Sequence, residues 1–187
     1  MLKKFSIIIL KLFGWKIKGS IPEDIKKLVL IVAPHTSNID FIIGKIASFY
    51  FNRKLQILIK KELFFFPLNI ILKSFGAIPI NREKASGRVE QIVNKFKNED
   101  SFILSITPEG TRSYNKNWKK GYYYIAQKAD VPIAIGFLDY KKKEVGIEKI
   151  ISTSGDYKKD FKIIQDIYKT KTAKYPKKFN LSEIYNN

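Results

Sequence analysis

Residues 28–40 read LVLIVAPHTSNID, and this stretch decides the fold. It opens with six apolar residues, as expected of a parallel strand that is buried on both faces. Pro34 ends the run, and the polar residues that follow are typical of a helix start. A mostly apolar segment of helical length then continues to Tyr50. The stretch therefore predicts a buried strand that leads directly into a helix, the repeating unit of α/β proteins.

The rest of the chain repeats this alternation of strand and helix. Apolar runs predict further strands at residues 55–59, 77–80, 102–106 and 131–138, with helices between them and a closing helix at 160–171. Residues 145–151 alternate apolar and polar side chains, which predicts a half-exposed edge strand. The sequence thus predicts a single α/β domain with a mixed, mostly parallel sheet flanked by helices. Active sites in such sheets gather where strands end, here at residues 34–40, 76–82 and 107–113.

The two ends of the chain depart from this pattern. Residues 1–20 begin MLKKFSIIILKLFGW, which predicts a short amphipathic helix that associates with membranes. Packing of this helix on the domain is the alternative, since docking often fixes a terminal segment. The predicted domain spans residues 21–172, and residues 173–187 form a tail without clear periodicity. No apolar run reaches the roughly 20 residues that cross a bilayer, so we expect no transmembrane helix.

The chain is strongly basic and has no cysteine. It has 35 Lys and Arg against 17 Asp and Glu, a net charge of +18. Such a charge attracts polyanions, among them anionic membranes and nucleic acid, although a compositional bias toward Lys explains it equally well. The sequence shows no aromatic RNA-recognition pattern, so we expect no nucleic-acid partner. The lack of Cys excludes disulfides, a thiol nucleophile and Cys-based zinc sites.

The single histidine is placed for chemistry. His35 stands just after the first predicted strand, and Asp40 follows five residues later. If the helix starts near Ser37, Asp40 falls in its first turn, where the carboxylate can reach the imidazole. A carboxylate on one ring nitrogen fixes the tautomer, and the other nitrogen can then take a proton from a hydroxyl. Asp40 also completes a capping-box pattern with Ser37, so a purely structural role is the alternative.

Three further blocks follow. ITPEGTRS at residues 106–113 comes after a predicted strand. In it, Gly110 lets backbone N–H groups turn toward a ligand, and Arg112 offers a planar cation that matches phosphate. An ordinary surface loop with a Glu–Arg pair is the alternative. GAIPINR at residues 76–82 ends in Arg82, and VPI at residues 131–133 opens another strand.

In this order and spacing, the blocks resemble the lysophospholipid acyltransferase family, typified by 1-acyl-glycerol-3-phosphate acyltransferase. The resemblance runs from about residue 29 to residue 137. The family's H-x-x-x-x-D is matched by His35 and Asp40, its G-x-x-x-(I/V)-(D/N)-R by residues 76–82, and its F-P-E-G-T-R-S from residue 108, with Thr107 in place of Phe. WKKG at residues 118–121 is similar to the family's F-K-x-G step. V-P-(I/V)-x-P is matched only at residues 131–133, because Ile135 replaces the last proline.

The resemblance implies a role for each matched residue. His35 would be the general base and Asp40 its orienting partner. The phosphate of the acceptor would be held by Arg82, Glu109, Gly110 and Arg112, with Thr111 as a helper and Lys61 as a further candidate. The apolar runs at residues 41–43 and 64–66 are candidates to line an acyl groove, with plain core packing as the alternative.

The implied reaction moves a fatty acyl group from a thioester on coenzyme A or acyl carrier protein to the sn-2 hydroxyl of 1-acyl-glycerol-3-phosphate. The product would be phosphatidic acid, an intermediate of phospholipid biosynthesis. No cofactor or metal is expected beyond the acyl-CoA or acyl-ACP co-substrate. The expected location is the cytoplasmic face of the inner membrane, with peripheral attachment to its anionic surface.

Two alternatives remain open at this point. One is acyl transfer to another lysolipid or to an amino-acid lipid, with the same base. The other is a non-catalytic basic protein that binds membranes or nucleic acid. A binding module needs positive charge but has no use for one histidine set between a strand and a helix, so the His–Asp pair favours an enzyme.

Overall fold

A seven-stranded sheet organises the protein, whose computed structural model describes residues 2–80 and 87–182. The strands of this described part are β1 (Lys16–Lys18), β2 (Lys27–Ala33), β3 (Leu55–Lys60), β4 (Ala77–Ile80), β5 (Phe102–Ile106), β6 (Ile133–Asp139) and β7 (Glu144–Ile151). Its α-helices are α1 (Leu2–Leu12), α2 (Asn38–Tyr50), α3 (Leu68–Ser74), α4 (Arg88–Asn98), α5 (Gly121–Ala129) and α6 (Tyr157–Tyr168). Two single 3₁₀ turns cover Lys61–Leu63 and Pro176–Lys178.

The strand order is β1-β7-β6-β2-β5-β3-β4. Every neighbouring pair is parallel except β6 and β7, which are antiparallel. The predicted α/β domain with a mixed, mostly parallel sheet is therefore confirmed. The strand–helix unit at residues 28–50 is also confirmed, since β2 leads into α2 after a four-residue connection.

Helices cover both faces of the sheet because its central strands are apolar on both sides. One face of β2 presents Val29 and Ile31 to a cluster that includes residues of α4, α5 and α6. The opposite face presents Leu28 and Leu30, and residues of α1 and α2 pack on this side of the sheet. These alternating positions have 0 to 4% of their surface exposed, as a central parallel strand requires.

The edge of the sheet differs from the prediction. The prediction of β7 as an edge strand is wrong, because β1 pairs with it in parallel and takes the edge position. Gly146 of β7 makes this pairing possible, since a Cβ at that position would lie 1.9 Å from the carbonyl oxygen of Lys18. Residues 1–20 thus contribute a strand to the sheet as well as the helix α1.

Both terminal segments of the described part, near residues 2–15 and 173–182, pack on the domain. Helix α1 lies against α2 and buries Ser6 and Leu10, while most of its other apolar side chains stay exposed. In the tail, Ala173 and Ser182 are buried. Within residues 2–80 and 87–182, no helix is both long enough and apolar enough to cross a membrane.

Candidate active site

Two loops meet at the carboxyl ends of neighbouring strands. Strands β2 and β5 are parallel, with Ile31 opposite Ile106 in the ladder. The loop after β2 carries His35, and the loop after β5 carries Glu109. Because both strands run in the same direction, their loops leave the sheet at the same edge. The fold therefore brings the predicted HTSNID and PEGTRS blocks together.

His35 and Asp40 meet as the sequence predicts. Nδ1 of His35 lies 3.5 Å from Oδ2 of Asp40. Ser37 is the N-cap of α2, and Asp40 closes the capping box by accepting the N–H of Ser37 at 2.8 Å. The N–H of Thr36 donates to the same oxygen at 2.7 Å. The carboxylate thus caps the helix and also faces the imidazole, so capping does not prevent the contact with His35.

The surroundings of Asp40 keep it ionised. Burial alone would raise the pKa of its carboxyl group, but hydrogen bonds from His35, Tyr140, Ser37 and Thr36 outweigh burial and hold the pKa below its usual value. Only 3% of the surface of Asp40 is exposed. A buried carboxylate with this many donors stays charged at neutral pH and can stabilise a proton on the imidazole.

Glu109 lies behind His35. Its two carboxylate oxygens lie 3.0 and 3.1 Å from the backbone nitrogen of His35, which donates to them. Burial, and to a smaller extent the nearby charge of Asp40, raise the pKa of Glu109 to about 8. The carboxyl group thus holds the backbone of the histidine loop, in addition to the phosphate contact that the resemblance implies.

Gly110, Thr111 and Arg112 form an exposed turn beside this pair. Gly110 has a φ of +69°, a left-handed conformation that favours glycine. Its N–H donates to the carbonyl of Thr107 at 3.1 Å. The hydroxyl of Thr111 accepts the N–H of Ser113 at 3.2 Å. Arg112 also lines the cavity described next.

A cavity of about 1180 Å³ starts at these loops. Residues of these loops and of the nearby chain line it, namely His35, Asp40, Thr107, Gly110, Thr111, Arg112, Lys119 and Lys120. Most of the remaining wall is apolar, including Val32, Phe41, Phe51 and Leu58. The site therefore combines the His35–Asp40 pair, a cationic rim and an apolar wall.

The other predicted residues lie in different places. Lys61 is exposed in the 3₁₀ turn after β3 and is not among the described residues that line the cavity. Arg82 lies outside the described residues. Of the two apolar runs predicted to line a groove, residues 41–43 contribute Phe41 to the wall. Phe65 and Phe66 of the other run are 57% and 79% exposed. In the described ranges, no group of three His, Cys, Asp or Glu side chains could hold a metal ion.

Sequence reasoning missed two parts of the site. Tyr140, in the turn between β6 and β7, donates a hydrogen bond to Asp40 across 100 positions of sequence. The tail also reaches the site loops: the N–H of Tyr175 donates to Thr36, and Asn180 exchanges hydrogen bonds with Asn115. No local pattern marks these residues, because each contact depends on how distant segments pack.

Comparisons with known proteins agree with this fold. Residues 16–134 match the family model described as Acyltransferase. The fold is similar to the crystal structure of the 1-acyl-sn-glycerophosphate (LPA) acyltransferase PlsC from Thermotoga maritima. That match has a TM-score of 0.61 and 21% sequence identity, and it covers 92% of this chain and 80% of the other. No curated protein sequence matches the chain.

Proposed function

The chain belongs to the acyltransferase family, and from this premise we propose that it acylates the sn-2 hydroxyl of 1-acyl-glycerol-3-phosphate to make phosphatidic acid. The donor would be a fatty acyl thioester, on coenzyme A or acyl carrier protein. The observation that carries the proposal is the pair of His35 and Asp40, 3.5 Å apart, in the wall of a largely apolar cavity that Arg112 also lines.

The proposed chemistry uses the two ring nitrogens differently. A proton on Nδ1 of His35 faces Asp40, so Nε2 is the nitrogen that accepts a proton from the acceptor's hydroxyl. The hydroxyl oxygen attacks the thioester carbonyl and forms a tetrahedral intermediate. The intermediate collapses, the C–S bond breaks, and the proton passes from the imidazolium to the leaving sulfur. The products are an ester and a free thiol, and His35 returns to its starting state.

The cationic rim fits a phosphate-bearing acceptor. Arg112 can donate two parallel hydrogen bonds to phosphate oxygens, a stronger arrangement than a single contact. Lys119 and Lys120 line the same cavity and add positive charge. The Thr111 hydroxyl accepts from Ser113 and can still donate to a phosphate oxygen, while Gly110 gives the turn its left-handed conformation. We include Arg82 in this set on sequence grounds, and Lys61 as a more distant contributor.

The apolar wall fits the fatty acyl chain. Residues from β2, α2 and β3 supply this part of the cavity. Phe41 lies on α2, and Phe51 directly follows it. Burial of a fatty chain there gains roughly 0.8 kcal/mol for each methylene group removed from water. A thioester bound this way would place its carbonyl near His35.

Placement on a membrane follows from the substrates and from α1. Leu2, Phe5, Ile8 and Leu12 recur at helical spacing, and each is at least 58% exposed. Lys3, Lys4 and Lys11 flank this face, a composition that suits the boundary of an anionic bilayer. We therefore propose peripheral attachment at the cytoplasmic face of the inner membrane. The acceptor and product would then never have to leave the lipid phase.

One assay tests the proposal against its alternatives. Purified protein is incubated with labelled acyl-CoA or acyl-ACP and a panel of acceptors, and products are identified by mass. The panel contains lysophosphatidate, other lysophospholipids, an amino-acid lipid and phosphate-free monoacylglycerol. Phosphatidic acid as the main product supports the proposal. Preference for another lysolipid or an amino-acid lipid would reassign the acceptor, and the absence of any product would favour a non-catalytic binding protein.

A further inference from the structure

Tyr140 reaches the catalytic pair from the turn after β6, the strand next to β2. It follows the last residue of β6, and its phenol O–H donates to Oδ1 of Asp40 at 2.5 Å. Burial, and to a smaller extent this hydrogen bond, raises the pKa of Tyr140 well above its usual value, so the phenol remains protonated. The hydroxyl is therefore a permanent donor to the carboxylate.

The donors are divided between the two oxygens of Asp40. Oδ2 faces Nδ1 of His35 and accepts the backbone N–H groups of Thr36 and Ser37. Oδ1 accepts from Tyr140. Since Asp40 is almost fully buried, water cannot replace that donor if it is lost. The backbone N–H groups thus hold Oδ2 beside the imidazole, and the phenol draws negative charge toward Oδ1.

Tyr140 is itself held in place by both ends of the chain. Its backbone N–H donates to the carbonyl of Thr172 at 2.9 Å, where the tail begins. Its ring lies edge-on to that of Trp15, with centroids 5.0 Å apart. Trp15 is buried, and its N–H donates to the carbonyl of Leu10 in α1. These contacts hold the phenol in the orientation that its hydrogen bond to Asp40 needs.

We propose that Tyr140 is a positioning residue that acts on His35 through Asp40, and that it tunes how tightly the imidazole holds a proton. The inference deepens the proposed function and rests on the same His–Asp pair. The groups that bear on the charge of Asp40 are His35 and Tyr140 by hydrogen bonds and Glu109 by its proximity, while Tyr175 lies beside Tyr140. Removal of the phenol O–H leaves more negative charge on Oδ2 and strengthens its hold on the imidazolium.

The single histidine of the chain makes a direct test possible. Protein labelled at histidine is titrated by NMR, and the midpoint belongs to His35 alone. We expect Tyr140→Phe to move the midpoint upward by about half a pH unit. Tyr175→Phe is the matched control, because it removes a neighbouring hydroxyl that makes no described hydrogen bond to Asp40, and it should leave the midpoint in place. A midpoint in Tyr140→Phe that is unchanged or lower would overturn the proposal.

Kinetics give a second readout. For the acyl transfer, Tyr140→Phe should lower kcat roughly tenfold, with little change in the KM of either substrate, and should move the acid limb of the kcat–pH profile upward. Thermal unfolding of the same samples verifies that the variant is folded. Normal kcat with an unshifted profile would show that the contact is only structural. Because the NMR titration needs no turnover, it still decides the role of Tyr140 if the transferase assay fails.

Discussion

Both carboxylate oxygens of Glu109 lie within 3.1 Å of the backbone nitrogen of His35. The contact joins the loop after β5 to the loop after β2 and leaves the imidazole directed at the cavity. Glu109 is 4% exposed, and its pKa of about 8 means that a proton binds it more tightly in the folded chain than in the unfolded one. Glu109 therefore both holds the backbone of His35 and makes the free energy of unfolding depend on pH.

Glu109→Gln should flatten that dependence. The stabilising contribution of Glu109 is complete below its ordinary pKa of 4.5 and is lost as pH rises toward 8. In this window the wild type should lose up to about 1.4 kcal/mol of unfolding free energy per pH unit from this group. The variant keeps an oxygen that can accept from His35 but does not titrate. Denaturant unfolding at several pH values measures the slopes, with the exposed Glu23→Gln as control. Equal slopes in wild type and variant would contradict the assigned pKa shift.

His35→Ala should abolish transfer without unfolding the protein. Loss of a general base typically lowers the rate by about 10²–10⁴. The backbone N–H that Glu109 accepts is still present in the variant, so the two loops should stay joined. Single-turnover assays measure the rate, and circular dichroism verifies the fold. Wild-type turnover by a folded His35→Ala protein would refute the proposed base.

Substitutions of Asp40 and Ser37 can distinguish a catalytic role of Asp40 from its role in helix capping. Asp40→Asn should lower kcat severely, because an amide stabilises an imidazolium much less than a carboxylate does. Ser37→Ala removes the side chain that accepts the N–H of Ile39 and leaves the carboxylate in place. It should cost about 1 kcal/mol of stability with little effect on kcat. The kcat and the melting temperature are measured for both variants. An Asp40→Asn protein that loses stability but keeps its kcat would show that Asp40 only caps the helix.

Local contacts of the site were predictable, and distant ones were not. His35 and Asp40 meet because a strand end and a helix start lie within five residues of each other, and these signals are local. The orientation of Glu109 and the bond from Tyr140 depend on packing between segments 74 and 100 residues apart. β1 is only three residues long, too short for periodicity to mark, and its pairing relies on the close approach that Gly146 permits.

Arg112→Ala should weaken binding of the acceptor more than that of the donor. A charge-assisted contact to phosphate contributes roughly 1.5–3 kcal/mol, equivalent to about a 10- to 150-fold rise in the acceptor's KM. The exposed Lys158→Ala on α6 removes one positive charge away from the cavity and controls for the overall charge. KM is measured for lysophosphatidate and for phosphate-free monoacylglycerol. A similar rise for both acceptors would argue against a phosphate contact.

Membrane binding by α1 is best tested with point substitutions, because α1 and the strand after it are part of the fold. A truncation before Ser20 would remove β1 and the buried Trp15, and the loss of binding would then have two explanations. The variant Phe5→Ser/Ile8→Ser/Leu12→Ser changes only exposed side chains and keeps the packed face of α1. It should float poorly with anionic vesicles, while the wild type floats well at low salt and less well at high salt.

Phe65→Ser/Phe66→Ser provides the matched comparison, since it removes two exposed aromatic side chains from another surface. We expect this variant to float nearly as the wild type does, because the α1 face combines apolar side chains with a flanking set of lysines. The reverse result, with the α1 variant floating normally and the Phe65/Phe66 variant failing, would move the membrane contact to the segment before α3. Melting temperatures of both variants must match the wild type, so that poor flotation reports lost lipid contact and not unfolding.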